Sequence, residues 1–207
     1  MVRDVCAYQA VIFDLGNVLI PFDFSRFYGS LEGLSGHPIA EICKRIAALG
    51  VVEPFETGLI EPSEFVRQLS GALGVDIGYA DFCRIWNSVF LPEPLFPESV
   101  LTEIRARYRL LLLSNTNAIH FEMLQGRYPI LRHFHDRVLS YEVRAMKPQP
   151  EIFREAIARA GCRPEACFFT DDIAAYASAA REQGIDAVQF HSFEQARQEL
   201  RARGILP

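Results

Sequence analysis

The sequence predicts an α/β fold built on a mainly parallel sheet. Short, continuous apolar runs recur along the chain, which is typical of strands buried on both faces of a sheet. Segments with helical spacing of apolar residues lie between these runs, and strands that alternate with helices connect by right-handed crossovers into a parallel sheet. One long segment contains helical patterns only. Together these observations predict a Rossmann-like sheet flanked by helices, with a small all-helical cap inserted after the first strand.

Five apolar runs are the predicted strands. A weak one covers residues 137–139, and four clear ones cover residues 10–13, 110–113, 166–170 and 187–190. The helices expected between and after them cover approximately residues 97–107, 117–126, 150–160, 173–183 and 193–203. Pro97 and Pro150 stand near two helix starts, where a missing N–H does little harm, and Gly161 and Gly184 stand at two helix ends.

The long segment after the first predicted strand shows no convincing strand pattern of its own. Ile39, Ile42 and Ile46 recur at helical spacing, and Pro62 stands at a plausible helix start. A further helix is expected over residues 79–89. We therefore expect two domains. They are a core domain of residues 1–22 and 95–207 and a helical cap domain of residues 23–94.

The composition is that of an ordinary globular protein. Half of the 207 residues are hydrophobic and 23% are charged, which excludes a disordered chain. A net charge of −5 without a basic stretch argues against nucleic-acid and membrane-surface binding. The five cysteines form no Cys-x-x-Cys pair, which favours reduced thiols and a cytoplasmic protein. The composition leaves open whether the protein is a monomer or a homodimer.

Polar residues gather where three of the predicted strands end. They are Asp14, the pair Ser114 and Asn115, and the pair Asp171 and Asp172, to which Lys147 adds a cation. In an open parallel sheet the carboxyl ends of the strands form the ligand crevice, so residues that are distant in sequence meet there. Carboxylates bind a divalent cation through oxygen, whereas a hydroxyl, a lysine and backbone N–H groups bind a phosphate. The sequence thus predicts a site for an anion together with a divalent cation.

Four short motifs occur in register along the chain. They are Phe-Asp-Leu-Gly-Asn-Val-Leu at residues 13–19, Leu-Ser-Asn-Thr at 113–116, Lys-Pro at 147–148 and Phe-Phe-Thr-Asp-Asp at 168–172. In order, spacing and placement they resemble the motifs of the haloacid dehalogenase superfamily, a phosphatase-rich group of hydrolases with an aspartate nucleophile. Within it, the sequence most resembles the helical-cap phosphatases that carry Asp-x-Gly-Asn and act on sugar phosphates such as glucose 1-phosphate.

The resemblance implies a Mg²⁺-dependent hydrolase that acts on a small phosphorylated molecule. Asp14 would attack phosphorus to form an aspartyl-phosphate, which water would then hydrolyse. By the same resemblance, Mg²⁺ would be held by Asp14, Asp171 and the backbone carbonyl of Gly16, and Asp172 would act on it through water.

The same resemblance assigns the residues that bind the phosphoryl oxygens. These would be Ser114, the backbone of Asn115, and Lys147, which also counts among the catalytic residues. The sharp turn at Gly16 and Asn17 would let backbone amides approach the phosphate closely.

The chain departs from the family pattern at two positions. Most phosphatases of the superfamily carry a second aspartate two residues after the nucleophile, which protonates the leaving oxygen and later activates water. Gly16 stands there instead, and a group of that kind is typically worth about 10²–10⁴ in rate. Tyr176 stands where relatives often carry an asparagine, and a tyrosine can donate a hydrogen bond but cannot copy an amide.

Several explanations of the missing carboxyl remain open. A leaving group of lowered pKa, such as the anomeric oxygen of a sugar 1-phosphate, needs less protonation. Another acid could reach the site, and Asp23 is the candidate. A halide leaving group needs no proton, so a 2-haloacid dehalogenase that uses the same aspartate without metal is an alternative function. A catalytically quiet module that binds a phospho-ligand is the other alternative.

Overall fold

The computed structural model of the chain describes residues 8–207. Its strands are β1 (Ala10–Phe13), β2 (Arg109–Ser114), β3 (Asp136–Leu139), β4 (Cys167–Asp171) and β5 (Asp186–Gln189). They form one parallel sheet in the order β3-β2-β1-β4-β5, which confirms the predicted fold class. β1 is therefore central, with β2 and β4 on either side. Cys6, one of the expected thiols, lies outside the described residues, and the other four cysteines are free.

The other regular elements of the described chain are helices and short 3-10 turns. Between β1 and β2 lie α1 (Ser25–Ser35), α2 (Ile39–Leu49), α3 (Val52–Glu56), α4 (Pro62–Leu73), α5 (Tyr79–Trp86) and α6 (Glu98–Arg105). After β2 lie α7 (Ala118–Arg127), α8 (Ser140–Val143), α9 (Pro150–Ala160), α10 (Ala174–Glu182) and α11 (Phe193–Ala202). Short 3-10 turns cover Asn87–Val89, Pro129–His133 and Pro164–Ala166. Within residues 8–207, no helix combines the length and the apolar character that crossing a membrane requires.

The observed elements differ from the predicted ones mainly at their ends. β2 and β4 extend to Ser114 and Asp171, because these residues pair with Leu139 and Gln189 of the neighbouring strands. The helix expected over residues 79–89 divides into α5 and a 3-10 turn. The one-turn helix α8 was not predicted, since four residues are too few to show a helical period.

Side chains of the central strands alternate between two apolar layers. Val11 and Phe13 of β1 face one layer, and Ala10 and Ile12 face the other. This is the period of two that a pleated strand imposes. Because both faces are covered, all four β1 residues are fully buried, which explains the continuous apolar run in the sequence.

The helices between β1 and residue 94 surround an aromatic interior. Phe55 stacks on Phe65 with ring centroids 4.0 Å apart, and Phe27 meets Trp86 edge to face at 4.8 Å. These rings belong to the same apolar cluster as Phe13 of the sheet. Packing is thus continuous from the predicted cap to one face of the core, and the division into two domains at residues 23 and 94 stays a prediction.

The buried and exposed leucines of this region provide a matched test of that packing. Leu69→Ala should lower the free energy of unfolding by about 2–5 kcal/mol, because it removes a fully buried side chain and leaves a cavity. Leu59 is 67% exposed, so Leu59→Ala should change the stability by no more than about 0.5 kcal/mol. Urea unfolding followed by tryptophan fluorescence measures both variants. Equal effects of the two substitutions would contradict the described packing.

Candidate active site

The parallel sheet brings the predicted strand-end residues to one edge. Asp14 directly follows β1, and Ser114 and Asp171 are the last residues of the two strands that flank it. The backbone N–H of Asp14 still donates to the carbonyl of Thr170 at 3.0 Å, so β4 fixes the start of the loop. Residues separated by long stretches of sequence therefore share one small region.

Lys147 joins two of these strand ends. Its Nζ donates to Asp14 Oδ1 at 2.7 Å, to Asp171 Oδ2 at 2.5 Å and to the carbonyl of Leu113 at 3.3 Å. The side chain is only 1% exposed, so its charge is compensated by the two carboxylates rather than by solvent. A buried ammonium needs such partners, because an unpaired charge in the interior costs several kcal/mol.

Asn115 and Tyr176 hold Lys147 in place. The Asn115 side chain donates to the Lys147 carbonyl at 2.9 Å and accepts from the Lys147 N–H at 2.8 Å. Its amide also donates to the Tyr176 hydroxyl at 3.5 Å, and the Tyr176 ring lies 5.1 Å from Lys147 Nζ. The amide of Asn115 is therefore occupied, which leaves its backbone as the part that can meet a phosphate. Tyr176 contacts the lysine through its ring face, an attractive cation–π arrangement.

A buried hydroxyl that the sequence analysis missed fixes the loop after β2. Ser140 Oγ accepts from the N–H of Thr116 and donates to its carbonyl, both at 2.9 Å. Ser114 itself is 2% exposed, with its Oγ 3.3 Å from the Asn115 carbonyl. Ser140 stands at the end of the weakest predicted strand, and nothing in the local sequence distinguishes it from a surface serine.

Three carboxylates form the acidic cluster of the site: Asp14, Asp171 and Asp172, with ligand oxygens all within 4.8 Å of one another. Burial raises the pKa of Asp14 to about 7, with Lys147 opposing the shift and Asp171 adding to it. Burial and the neighbouring Asp171 also raise the pKa of Asp172. Within residues 8–207, Lys147 is the one cation paired with the cluster, so three carboxylates share a single positive charge. An oxygen-only donor set of this kind fits a hard divalent cation such as Mg²⁺.

The loop after Asp14 leaves little space for a side chain at position 16. A Cβ atom on Gly16 would lie 2.6 Å from Cε1 of Phe22, so no side chain fits there unless the phenyl ring moves. Asn17 has a positive φ of 52°, which asparagine tolerates better than most residues. Its side chain accepts from the N–H of Phe22 at 3.2 Å and donates to Asp172 at 3.5 Å. The backbone N–H of Asn17 donates to the Ile20 carbonyl at 3.0 Å. Asn17 therefore shapes the loop, and its N–H is not free for the predicted phosphate contact.

The structure argues against Asp23 as the proton donor. Its carboxylate accepts from the N–H of Ser25 at 2.9 Å and from the Ser25 hydroxyl at 2.7 Å, in the turn that begins α1. These hydrogen bonds lower the pKa of the exposed Asp23, whereas an acid in this role needs a raised one. Asp23 also lies outside the lining of the cavities at the site. The catalytic role of Asp23 stays a prediction that this geometry disfavours, and a turn-forming aspartate and a catalytic one look alike in sequence.

Two adjoining cavities open at this edge of the sheet. The acidic cavity, of about 200 Å³, is lined by Asp14, Gly16, Phe22, Glu56, Asn115, Met146, Lys147, Asp172, Ile173 and Tyr176. The aromatic cavity, of about 90 Å³, is lined by Leu15, Gly16, Phe22, Phe24, Glu56, Val89, Phe90, Ser114, Asn115, Thr116 and His120. A larger cavity of about 450 Å³ lies beside β3 and contains none of the acidic cluster. Because the predicted catalytic and binding residues line the two smaller cavities, we take these two cavities as the candidate active site.

Comparison with known proteins agrees with this geometry. A family model described as haloacid dehalogenase-like hydrolase matches residues 8–184. D-ribitol-5-phosphate phosphatase of Bacteroides thetaiotaomicron is 25% identical over 92% of this chain and 95% of its own length. A phosphatase of Mycobacterium tuberculosis is 28% identical over 86% of this chain and 85% of its own. A solved haloacid dehalogenase-family enzyme from B. thetaiotaomicron, in complex with magnesium and inorganic phosphate, is 29% identical, covers 90% of this chain and 96% of its own, and gives a TM-score of 0.82.

The raised pKa of Asp14 predicts a pH-dependent effect of removing its charge. The fold binds a proton on Asp14 more tightly than the unfolded chain does, so this contribution to stability is lost as the pH rises from 3.8 to about 7. In chelator-treated protein, Asp14→Asn should therefore raise the melting temperature relative to wild type near pH 7 and should lose this advantage near pH 4. The exposed Asp76→Asn serves as the control, with no such trend. A difference between Asp14→Asn and wild type that is constant with pH would contradict the assignment.

Proposed function

The chain belongs to the haloacid dehalogenase-like hydrolases, and from that premise we propose that it is a Mg²⁺-dependent phosphatase. Its substrate in this proposal is a small phosphorylated metabolite such as a sugar phosphate, and the reaction passes through an aspartyl-phosphate. The observation that carries the proposal is the pairing of Asp14 and Asp171 through buried Lys147, with Asp172 beside them. The similarity to a D-ribitol-5-phosphate phosphatase along 92% of the chain supports the substrate class.

Asp14 is the proposed nucleophile. Lys147 occupies its Oδ1 with a hydrogen bond, which orients the carboxylate and leaves Oδ2 as the attacking oxygen. The contact with Lys147 also stabilises the ionised form that attack requires, against the opposing effect of burial. Covalent catalysis of this type divides one difficult displacement into two easier ones.

The acidic cluster is the proposed metal site. Asp14, Asp171 and Asp172, together with the Gly16 carbonyl, would hold Mg²⁺, whose charge when bound screens the carboxylates from an incoming phosphate. This proposal favours phosphatase chemistry over metal-free dehalogenation, because three clustered carboxylates beside a single lysine stay ionised more easily with a cation.

The proposed phosphate-binding residues come from the end of β2, the loop after it, the loop after β1, and Lys147. Ser114, the N–H of Asn115 and the ammonium of Lys147 are proposed to bind the phosphoryl oxygens, together with the backbone amide of Gly16. The N–H of Asn17 is excluded from this set because it donates to the Ile20 carbonyl. The hydrogen bonds of Ser140 to Thr116 keep this loop rigid, so its donors are oriented before a substrate arrives.

The remaining features of the proposal concern the protein as a whole. We propose a cytoplasmic enzyme that acts as a monomer or a homodimer, with a cap of residues 23–94 on a core of residues 1–22 and 95–207. The net charge of −5 supports the absence of nucleic-acid and membrane partners.

Phosphate release from a panel of metabolites tests the proposed function. The panel contains hexose 1-phosphates, hexose and pentitol phosphates with primary phosphate esters, and nitrophenyl phosphate, each assayed with Mg²⁺ and with chelator. Asp14→Asn should lower release by about 10³-fold or more, because it removes the nucleophile. Asp76→Asn, the same substitution at an exposed position of the cap, should leave release unchanged.

Two results would contradict the proposal. Wild-type turnover in the Asp14→Asn variant would exclude the covalent mechanism. Chloride release from 2-chloropropionate in chelator, without phosphate release from any compound, would assign the protein to the dehalogenases instead.

A further inference from the structure

We propose that Glu56, which the cap carries into the site, is the acid–base residue of this phosphatase and replaces the carboxyl that is missing at position 16. The inference rests on the proposed function and adds a residue to it. It also implies a substrate class, because an enzyme with its own proton donor can cleave esters of ordinary alcohols.

Glu56 lies where the two cavities of the site meet. It is the last residue of α3 and lines both the acidic cavity and the aromatic cavity. Gly16, Phe22 and Asn115 are the other residues that line both. A residue at this junction borders both the cavity that contains the nucleophile and the neighbouring cavity, which offers space for a leaving group.

The carboxyl of Glu56 is not used elsewhere in the described chain. It makes no hydrogen bond or ion pair with any of residues 8–207, although the residue is half-buried. Its oxygens are not among the buried unpartnered atoms of the described chain, so they are accessible from the cavity. The oxygen of a bound substrate is the partner that the cavity offers.

The two alternative positions for an acid are closed. At position 16, the ring of Phe22 occupies the space that a side chain would need. At position 23, both carboxylate oxygens are bound to Ser25. Glu56 is thus the carboxyl of the cap that lines the acidic cavity beside Asp14.

The surroundings of Glu56 keep both of its protonation states accessible. Burial, with a smaller contribution from Glu53 on the same helix, raises the pKa of Glu56 to about 7. The titratable and charged groups that line the shared cavities from the core are Asp14, Lys147, Asp172, Tyr176 and His120. A carboxyl with a pKa near neutrality can donate a proton in one step and accept one in the next.

The backbone around Glu56 is anchored to both the cap and the core. Phe55, the preceding residue, stacks on Phe65 at 4.0 Å. Gly58 has a φ of +66°, and a Cβ there would lie 2.1 Å from the carbonyl oxygen of Tyr141 in α8. The turn after α3 therefore lies directly against the core. This close approach fixes where Glu56 enters the site.

The proposed reaction has two steps, phosphoryl transfer to Asp14 and hydrolysis of the aspartyl-phosphate. Asp14 Oδ2 forms a bond to phosphorus while the bond from phosphorus to the leaving oxygen breaks. The leaving oxygen keeps the electron pair and takes the proton of Glu56, which gives a neutral alcohol and the Glu56 carboxylate. Water then attacks the aspartyl-phosphate and gives its proton to Glu56, the Asp14–phosphorus bond breaks, and inorganic phosphate leaves with both side chains restored.

Leaving-group dependence distinguishes an acid from a merely structural residue. With Mg²⁺ present, Glu56→Gln should lower kcat/KM for a primary alkyl phosphate by about 10²–10⁴-fold. For nitrophenyl phosphate, whose leaving group needs little protonation, the loss in kcat/KM should be below about tenfold. Glu61→Gln makes the same change at an exposed position of the cap and should alter neither substrate.

A second readout follows the covalent intermediate. After mixing Glu56→Gln with nitrophenyl phosphate, intact-protein mass spectrometry should detect a phosphorylated enzyme, because the base for the second step is gone. Glu56→Asp keeps the carboxyl but shortens its reach, and it should show the same dependence on leaving group to a smaller extent. Melting temperatures confirm that each variant is folded.

Three outcomes would overturn the inference. An equal loss with both substrates would make Glu56 a structural residue, and a selective loss in Asp23→Asn instead would return the role to Asp23. In both cases Mg²⁺-dependent release by wild type that disappears in Asp14→Asn would leave the proposed phosphatase intact. Absence of release by wild type from every compound would reject the phosphatase and the inference together.

Discussion

The buried contact of Lys147 with Asp14 and Asp171 is the interaction on which the site depends. The ammonium lies between two carboxylates that come from different strand ends, at 2.7 and 2.5 Å. Charges of this kind are tolerated in an interior only when each has its partner, so the three side chains constrain one another. Asn115 and Tyr176 extend the constraint outward by fixing the backbone and the ring face around the lysine. The geometry of the site is therefore set before any ligand binds.

The excess of negative charge at the site favours the binding of a divalent cation. Asp172 adds a third carboxylate to a pair that Lys147 already compensates, and burial raises the pKa of both Asp14 and Asp172. A protein that keeps such a cluster gives up some stability at neutral pH, a cost that functional sites commonly carry. A divalent cation relieves the repulsion, and a phosphate group is then attracted to the same place.

The predicted cap and the predicted core contribute different parts of the proposed chemistry. The core supplies the nucleophile, the cation site and the phosphate donors, all from strand ends and the loops that follow them. The cap supplies Glu56 and, with Phe24, Val89 and Phe90, part of the aromatic cavity. The ring of Phe22 occupies the space that a side chain at position 16 would need, so this position supplies no second carboxyl. In this scheme the proton donor, Glu56, belongs to the same segment that lines the cavity for the leaving group. The close contact of Gly58 with the carbonyl of Tyr141 holds that segment against the core.

The sequence by itself determined the parallel sheet and the strand-end residues Asp14, Ser114 and Asp171, because apolar runs bound by polar residues are local patterns and parallel strands end at a common edge. Its motifs also placed Lys147 near them. Only the tertiary structure decided that Asp23 caps its own turn, that Ser140 holds the loop after β2, and that Glu56 reaches the cavities. The contact of Asp23 with Ser25 is local, but an aspartate that caps a turn looks the same in sequence as a catalytic one. The other two facts depend on contacts between segments far apart in the chain. Such contacts leave no period or spacing in the sequence, since each side chain taken alone has the appearance of an ordinary polar residue on a helix or a turn.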